Sequence, residues 1–268
     1  MLKDLTMGQY FPTGSVIHRL DARVKLICTI AFIVAIFMTD NFIMLGFCAV
    51  ATGVMIAVSK VHIKLYLKML KSIWPVIVLT SILNIFYVKG DTLVSFWIIN
   101  ITVQGVLKSV FIALRIMLLI LVSSMLTYCT SPTELTDGIE RLLSPLRHIG
   151  LGEAVHTLAM MTSIAMRFIP TLVDETEKIM NAQKARGADF DSGNLIGRVK
   201  AMLPIMIPLL MSAVRRAIDL AQAMECRCYN GGAGRTKMKQ LHIGTRDVAA
   251  LIIVAAIVAV VVMGRIWL

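Results

Sequence analysis

The chain has 268 residues, 57% of them hydrophobic and 16% charged, and its mean hydropathy is +0.80. That composition excludes a water-soluble globule and places the chain in a membrane. A formal charge of +11 would suit nucleic acid in a soluble protein; in so apolar a chain it reads as cationic loops on the cytoplasmic face, with the lipid bilayer and no nucleic acid as partner.

In chain order, "MLKDLTMGQYFPTGS" lacks the apolar run of a signal peptide, so insertion rests on internal segments. A first span is expected over Val24 to Thr39, broken by Asp40 and Asn41, and a second over Phe42 to Ser59. Both are short against the ~20 residues a bilayer needs, a deficit that snorkelling Lys and Arg stems make up. "KVHIKLYLKMLK" sets Lys60, Lys64, Lys68 and Lys71 at helical spacing, as in an amphipathic helix on the cytoplasmic surface. The third span is Ser72 to Val88, with Pro75 near its start, where a helix tolerates it. "KGDTLVSFWIINITVQG" follows as an interfacial connection. The fourth span is Val106 to Tyr128, and Arg115 inside it is expected to face protein.

From Cys129 to Asp247 the character changes. In "TSPTELTDGIERLLSPL", Ser131 is placed as N-cap, Pro132 at the first helical position and Glu134 where a capping box needs it. After a hinge at "RHIGLGE", one long helix is expected over Glu153 to Arg186 and, past "GADFDSGN", a second over Leu195 to Arg227. Their apolar stripes step by threes and fours and are rich in Met and Ala. Met161, Ala165 and Phe168 on the first, with Met202, Met206, Leu209 and Ala213 on the second, offer an adaptable greasy platform. The apolar runs "VHTLAMMTSIAM" and "AMLPIMIPLLMSAV" both fall short of a bilayer thickness. The long helices are therefore expected in or under the cytoplasmic face, with a transmembrane hairpin as the alternative. "NGGAGRTKMKQLHIGT" is a basic linker, and Val248 to Leu268 is a last span.

Five spans place 23 of the 27 Lys and Arg on one side. That side is the cytoplasm, so the N-terminus and the long helices are expected inside and the C-terminus outside. The expected fold is an all-α integral membrane protein with about five transmembrane helices. It divides into a four-helix membrane region (1–128), a cytoplasmic module with two long helices (129–247) and a C-terminal membrane helix (248–268).

Both long helices end alike. Arg186 and Arg227 each follow an alanine by four residues, Ala182 and Ala223, and each precedes a small residue, Gly187 and Cys228. A cation at a helix C-terminus is favoured by the dipole by about 0.3–1 kcal/mol, so capping is one reading. Docking is the other, with each guanidinium making bidentate bonds to carboxylates in an acidic groove of a cytoplasmic partner. Gly187 is expected to end the first helix in a left-handed conformation.

Catalytic, metal-binding and cofactor-binding residues are not expected. "GGAGRTK", Gly231 to Lys237, lacks the strand context and spacing of a phosphate loop and reads as linker. The five histidines are far apart, and Cys226-x-Cys228 lacks the two further ligands zinc needs. Five scattered cysteines make no disulfide framework.

"LDARVKL", Leu20 to Leu26, precedes the first span, and Ala185-Arg186-Gly187 and Cys226-Arg227-Cys228 close the long helices. With these the chain resembles, over nearly its whole length, the transmembrane coupling (T) component of energy-coupling factor transporters, a family within the cobalt-transport permeases. Cys228 stands where the family's second signature has glycine, a departure that bears on the turn's geometry. The resemblance implies a non-catalytic subunit of an ATP-driven importer in a prokaryotic cell membrane. Each arginine would enter a groove of one ATPase subunit of a pair, and ATP hydrolysis would belong to those subunits. The platform and the first spans would hold a membrane-embedded substrate-binding (S) protein that topples to release a vitamin or transition-metal ion. A conventional ABC permease forming the substrate path itself would need one coupling helix and more polar spans; a membrane-embedded enzyme would need clustered His, Asp or Glu.

Overall fold

A segment in lipid has to satisfy its own backbone N–H and C=O groups, which makes the helix the available building unit. The computed structural model describes residues 10–87, 92–96, 99–145, 152–188, 190, 195–231 and 244–267. Its elements are α1 (Ala22–Met38), α2 (Phe42–Ser59), α3 (Ile63–Tyr87), β1 (Thr92–Phe96), β2 (Ile99–Thr102), α4 (Val103–Cys129), α5 (Pro132–Leu143), α6 (Gly152–Ala185), α7 (Leu195–Cys226) and α8 (Thr245–Trp267). The all-α class holds. Five helical stretches are long and apolar enough to cross a membrane: α2, α3, α4, Val199–Cys226 of α7 and Thr245–Arg265 of α8. With 17 residues, α1 is shorter, about 26 Å at 1.5 Å per residue.

Three expectations need correction. The basic segment at Lys60 to Lys71 and the third span are one continuous helix, α3, because nothing between Lys71 and Ser72 breaks the backbone; Pro75 lies in its interior. The connection expected at the interface contains an antiparallel pair, β1–β2, in which Thr92 is in register with Thr102 and Phe96 with Ile99. Lastly, α7 is long enough to span, since Pro204 and Pro208 are accommodated inside it. Most of the expected hinge at 147–153, of the break at 187–194 and of the linker at 230–245 lies outside the described residues.

The chain packs as two compact units, one holding Gly8–Gly138 with Gln240–Leu268, the other Ile139–Lys239. In the first, α4 packs against α1, α2 and α3, and α8 lies along α1. The core joins Phe32 and Ile36 of α1, Leu45 of α2, Leu118 and Val122 of α4 and Val261 of α8.

Polar contacts gather the helix ends of this unit into two groups. At one end Asp21 caps α1 by accepting from the Arg23 N–H at 3.0 Å, and its own N–H donates to Asp247 of α8 at 2.8 Å. Lys25, buried one turn further on, donates to the carbonyls of His18 at 2.9 Å and Cys129 at 3.0 Å. The Tyr66 and Tyr128 rings meet edge-on at 5.2 Å, and Thr13 donates to the Ser59 carbonyl at 3.0 Å. The "LDARVKL" stretch thus ties the start of α1 to the start of α8 and the end of α4. At the opposite end Arg265 of α8 pairs with Asp40 at 3.2 Å. Arg115 donates to the Thr39 carbonyl, lies 4.0 Å from Asp40 and covers the Phe111 ring at 4.7 Å. It faces protein, as expected. The helices of this unit therefore alternate in direction along the chain, and α8 runs parallel to α1.

The Ser131 hydroxyl accepts from the Glu134 N–H at 3.2 Å, the N-cap expected of α5. Gly138 then lies on the first turn of α1, where a Cβ would come within 3.2 Å of the Ala22 Cβ. The chain leaves this unit along α5 and re-enters it at α8 at the same end.

Lys25→Ala is expected to remove the common donor to two carbonyls and lower stability by roughly 2–4 kcal/mol. Thermal unfolding of the detergent-solubilised protein measures this, and an unchanged midpoint would contradict the role.

Candidate functional site

The second unit is built on α6 and α7, whose Met- and Ala-rich stripes give each helix an apolar side. Glu175 accepts from Arg216 at 2.9 and 3.2 Å and from the Ser212 hydroxyl. Tyr229, just past α7, donates to the Met160 sulfur near the start of α6 at 3.1 Å. The higher number on one helix meets the lower on the other, so the two run antiparallel. The Ser212 bond, and then the Arg216 guanidinium, hold the Glu175 carboxyl below the ordinary glutamate range.

Each long helix closes in the same way. After α6, the Gly187 N–H donates to the Lys184 carbonyl and the Ala188 N–H to the Gln183 carbonyl, both at 3.0 Å. After α7, the Cys228 N–H donates to Glu225 at 2.9 Å and the Tyr229 N–H to Met224 at 3.0 Å. Gly187 has φ +85° and Cys228 has φ +54°. These are paired Schellman turns, with the arginine at the last half-helical position and the left-handed residue just after it. Gly187 ends α6 as expected. Cys228 takes the same conformation without glycine's freedom, so the substitution preserves the turn at some strain.

Ala185, Arg186 and Gly187 are exposed, as are Cys226, Arg227 and Cys228. Because α6 and α7 are antiparallel, the two arginines lie toward opposite ends of the pair. The rise from residue 160, which Tyr229 touches, to residue 186 is roughly 39 Å of helix.

The seven platform residues divide. Met161, Ala165, Met202 and Met206 are exposed, whereas Phe168, Leu209 and Ala213 are half-buried. The expected stripe on α7 turns inward along its length. The wider exposed apolar face of α7 continues through Leu203, Ile207, Leu210, Met211 and Val214.

An open cleft of about 650 Å³ lies where the start of α6 meets the end of α7. Arg167 lines it from α6 and Arg227 from α7, over Met160, Ile164, Leu220 and Met224. Sequence reasoning overlooked Arg167. Its signal was a lone cation closing a twelve-residue apolar run, but only the helix pairing brings it to the same cleft as Arg227. Among the described residues, no group of three or more His, Cys, Asp or Glu could hold a metal ion.

Residues 13–238 match the family model CbiQ, "Cobalt transport protein". Relatives named energy-coupling factor transporter transmembrane protein EcfT align over almost the whole chain. The Clostridium kluyveri protein is 47% identical, with 100% of this chain and 99% of the relative covered. That of Thermosediminibacter oceani is 46% identical, with 99% and 100% covered. The Lactococcus lactis protein is 41% identical, with 98% and 97% covered.

Two outcomes are expected from this geometry. Cys228→Gly relieves the left-handed strain and stabilises the end of α7 by about 1 kcal/mol, while Gly187→Ala costs α6 a similar amount; limited proteolysis at the two helix ends reads both, and equal digestion of variants and parent would contradict it. A depressed carboxyl contributes stability that is complete above the ordinary glutamate range and drains away as pH falls through its lowered value. Glu175→Gln should therefore flatten the acid limb of the thermal midpoint measured against pH.

Proposed function

The chain belongs to the EcfT family of energy-coupling factor transporter transmembrane proteins, within the CbiQ cobalt-transport group, and from that premise we propose that it links a cytoplasmic ATPase pair to a membrane-embedded substrate-binding protein for uptake of vitamins or transition-metal ions. Arg186 and Arg227 are the contacts to the ATPases, one arginine to each subunit. ATP is hydrolysed by those partners. The exposed methionine face of α7 carries the substrate-binding protein.

One observation carries this reading. At both helix ends the carbonyls that the turn closes on, Gln183 and Lys184 of α6 and Met224 and Glu225 of α7, already receive backbone N–H groups. Capping therefore does not require the arginines as hydrogen-bond donors, and only the dipole term of about 0.3–1 kcal/mol remains for that role. Two exposed guanidinium forks toward opposite ends of a rigid pair suit two separate acidic grooves.

Parity and charge support a placement. The segment between α5 and α8 leaves and rejoins the membrane unit at one end, so it crosses the bilayer an even number of times. Among the described helices of that segment only α7 is apolar enough to cross, and a single crossing is incompatible with an even count. The uncharged stretch between Lys200 and Arg215 also rises only about 21 Å, against a hydrocarbon core of about 30 Å. We therefore place α6 and α7 at the cytoplasmic face. The N-terminus lies on that side and the C-terminus outside, with α1, α2, α3, α4 and α8 as the five spans.

Arg186→Glu combined with Arg227→Glu is expected to abolish co-purification of the ATPases while the protein still inserts, and each single change should release one contact and act more mildly. Normal recovery of both ATPases with the double variant would defeat the docking claim.

A further inference from the structure

Arg167 and Arg227 approach one cleft from two different helices, and no Asp or Glu is among the residues lining it. Among the described residues neither guanidinium has a hydrogen-bond or ion-pair partner. Two exposed cations over the apolar floor of Met160, Ile164, Leu220 and Met224, with no carboxylate in the lining, make the cleft complementary to an anion. At about 650 Å³ the cleft has room for a side-chain-bearing segment, and its methionines adapt to apolar neighbours of varied shape. We propose that this cleft receives a carboxylate-bearing, apolar-flanked segment of the ATPase subunit docked at the Arg227 end, with Arg167 as the second anchoring cation.

This inference rests on the docking reading and deepens it. A subunit held only by Arg227 would grip α7 alone. Held by Arg167 as well, it grips both helices at once and fixes their spacing at that end. Arg186 is not part of this cleft, so the two ends of the pair are engaged differently.

The test titrates the ATPase pair onto the detergent-solubilised chain in complex with its substrate-binding protein. Arg167→Ala is expected to raise the apparent Kd about tenfold, as loss of one charge-assisted contact would. Its effect should fall short of multiplying with that of Arg227→Ala and should multiply fully with that of Arg186→Ala, since only the first pair shares an anion. Arg167→Lys, which keeps the charge but not the fork, should lie between parent and alanine variant. An unchanged Kd for Arg167→Ala beside a clear loss for Arg227→Ala would overturn the role of Arg167 and leave docking intact. Unchanged affinity in all the alanine variants would overturn both. Displacement of the ATPases by inorganic phosphate, at an ionic strength where chloride leaves them bound, would reassign the cleft to phosphate and overturn the carboxylate occupant.

Discussion

A helix has to stop, and the carbonyls of its last turn have to be met by something. In α6 and α7 the backbone meets part of that demand, because one residue at positive φ turns the chain so that two N–H groups reach back to two carbonyls of the last turn. The arginine just before each turn is thereby freed from capping, and its stem starts from a backbone that two hydrogen bonds hold in place. Glycine makes this turn without penalty. Cysteine makes it at a cost of about 1–2 kcal/mol, which is of the order that two backbone hydrogen bonds offset. Conservation of the turn despite a change of residue explains how "ECRCY" and "KARGA" place an arginine alike while differing as strings.

Antiparallel pairing converts two equal helix ends into two separated sites. The polar tie between the helices is placed evenly with respect to both. Glu175 precedes Arg186 by as many residues as Arg216 precedes Arg227, about 17 Å of helix in each case. A load on either tip therefore acts on the tie through an arm of the same length. The pair has a further polar contact, Tyr229 to Met160, at the Arg227 end, so it is tied at mid-helix and again at that end.

Much of this was legible because its signals are local. Ser131-Pro132 announces α5, Gly187 announces the end of α6, and the long apolar runs announce spans within two or three residues of their observed limits, except at the start of α3. The end of α7 was legible by analogy with the end of α6. Three features were not, each for a physical reason. A change from basic to apolar residues at Lys71 alters what a helix touches but not whether it continues, so α3 read as two pieces. The β1–β2 pair depends on cross-strand register, which short aromatic-bearing sequences leave open. Arg167 belongs to the cleft only through its helix partner some sixty residues away, and periodicity on one helix says nothing about the register of two.

The fate of each cation separates scaffold from function. Lys25 is buried and reaches two carbonyls; Arg115 reaches the Thr39 carbonyl and Asp40; Arg216 holds Glu175. All three act within their own unit; an apolar surrounding requires this of the buried Lys25, whereas Arg216 meets Glu175 at a partly exposed position. Arg186, Arg227 and Arg167 are exposed and are matched to no carboxylate among the described residues. Arg215 of α7 is likewise exposed and without a partner among the described residues, so the guanidiniums of this helix pair need not break an internal bond before meeting an external anion. That difference in starting state, more than the presence of arginine itself, is what the proposed docking of this helix pair draws on.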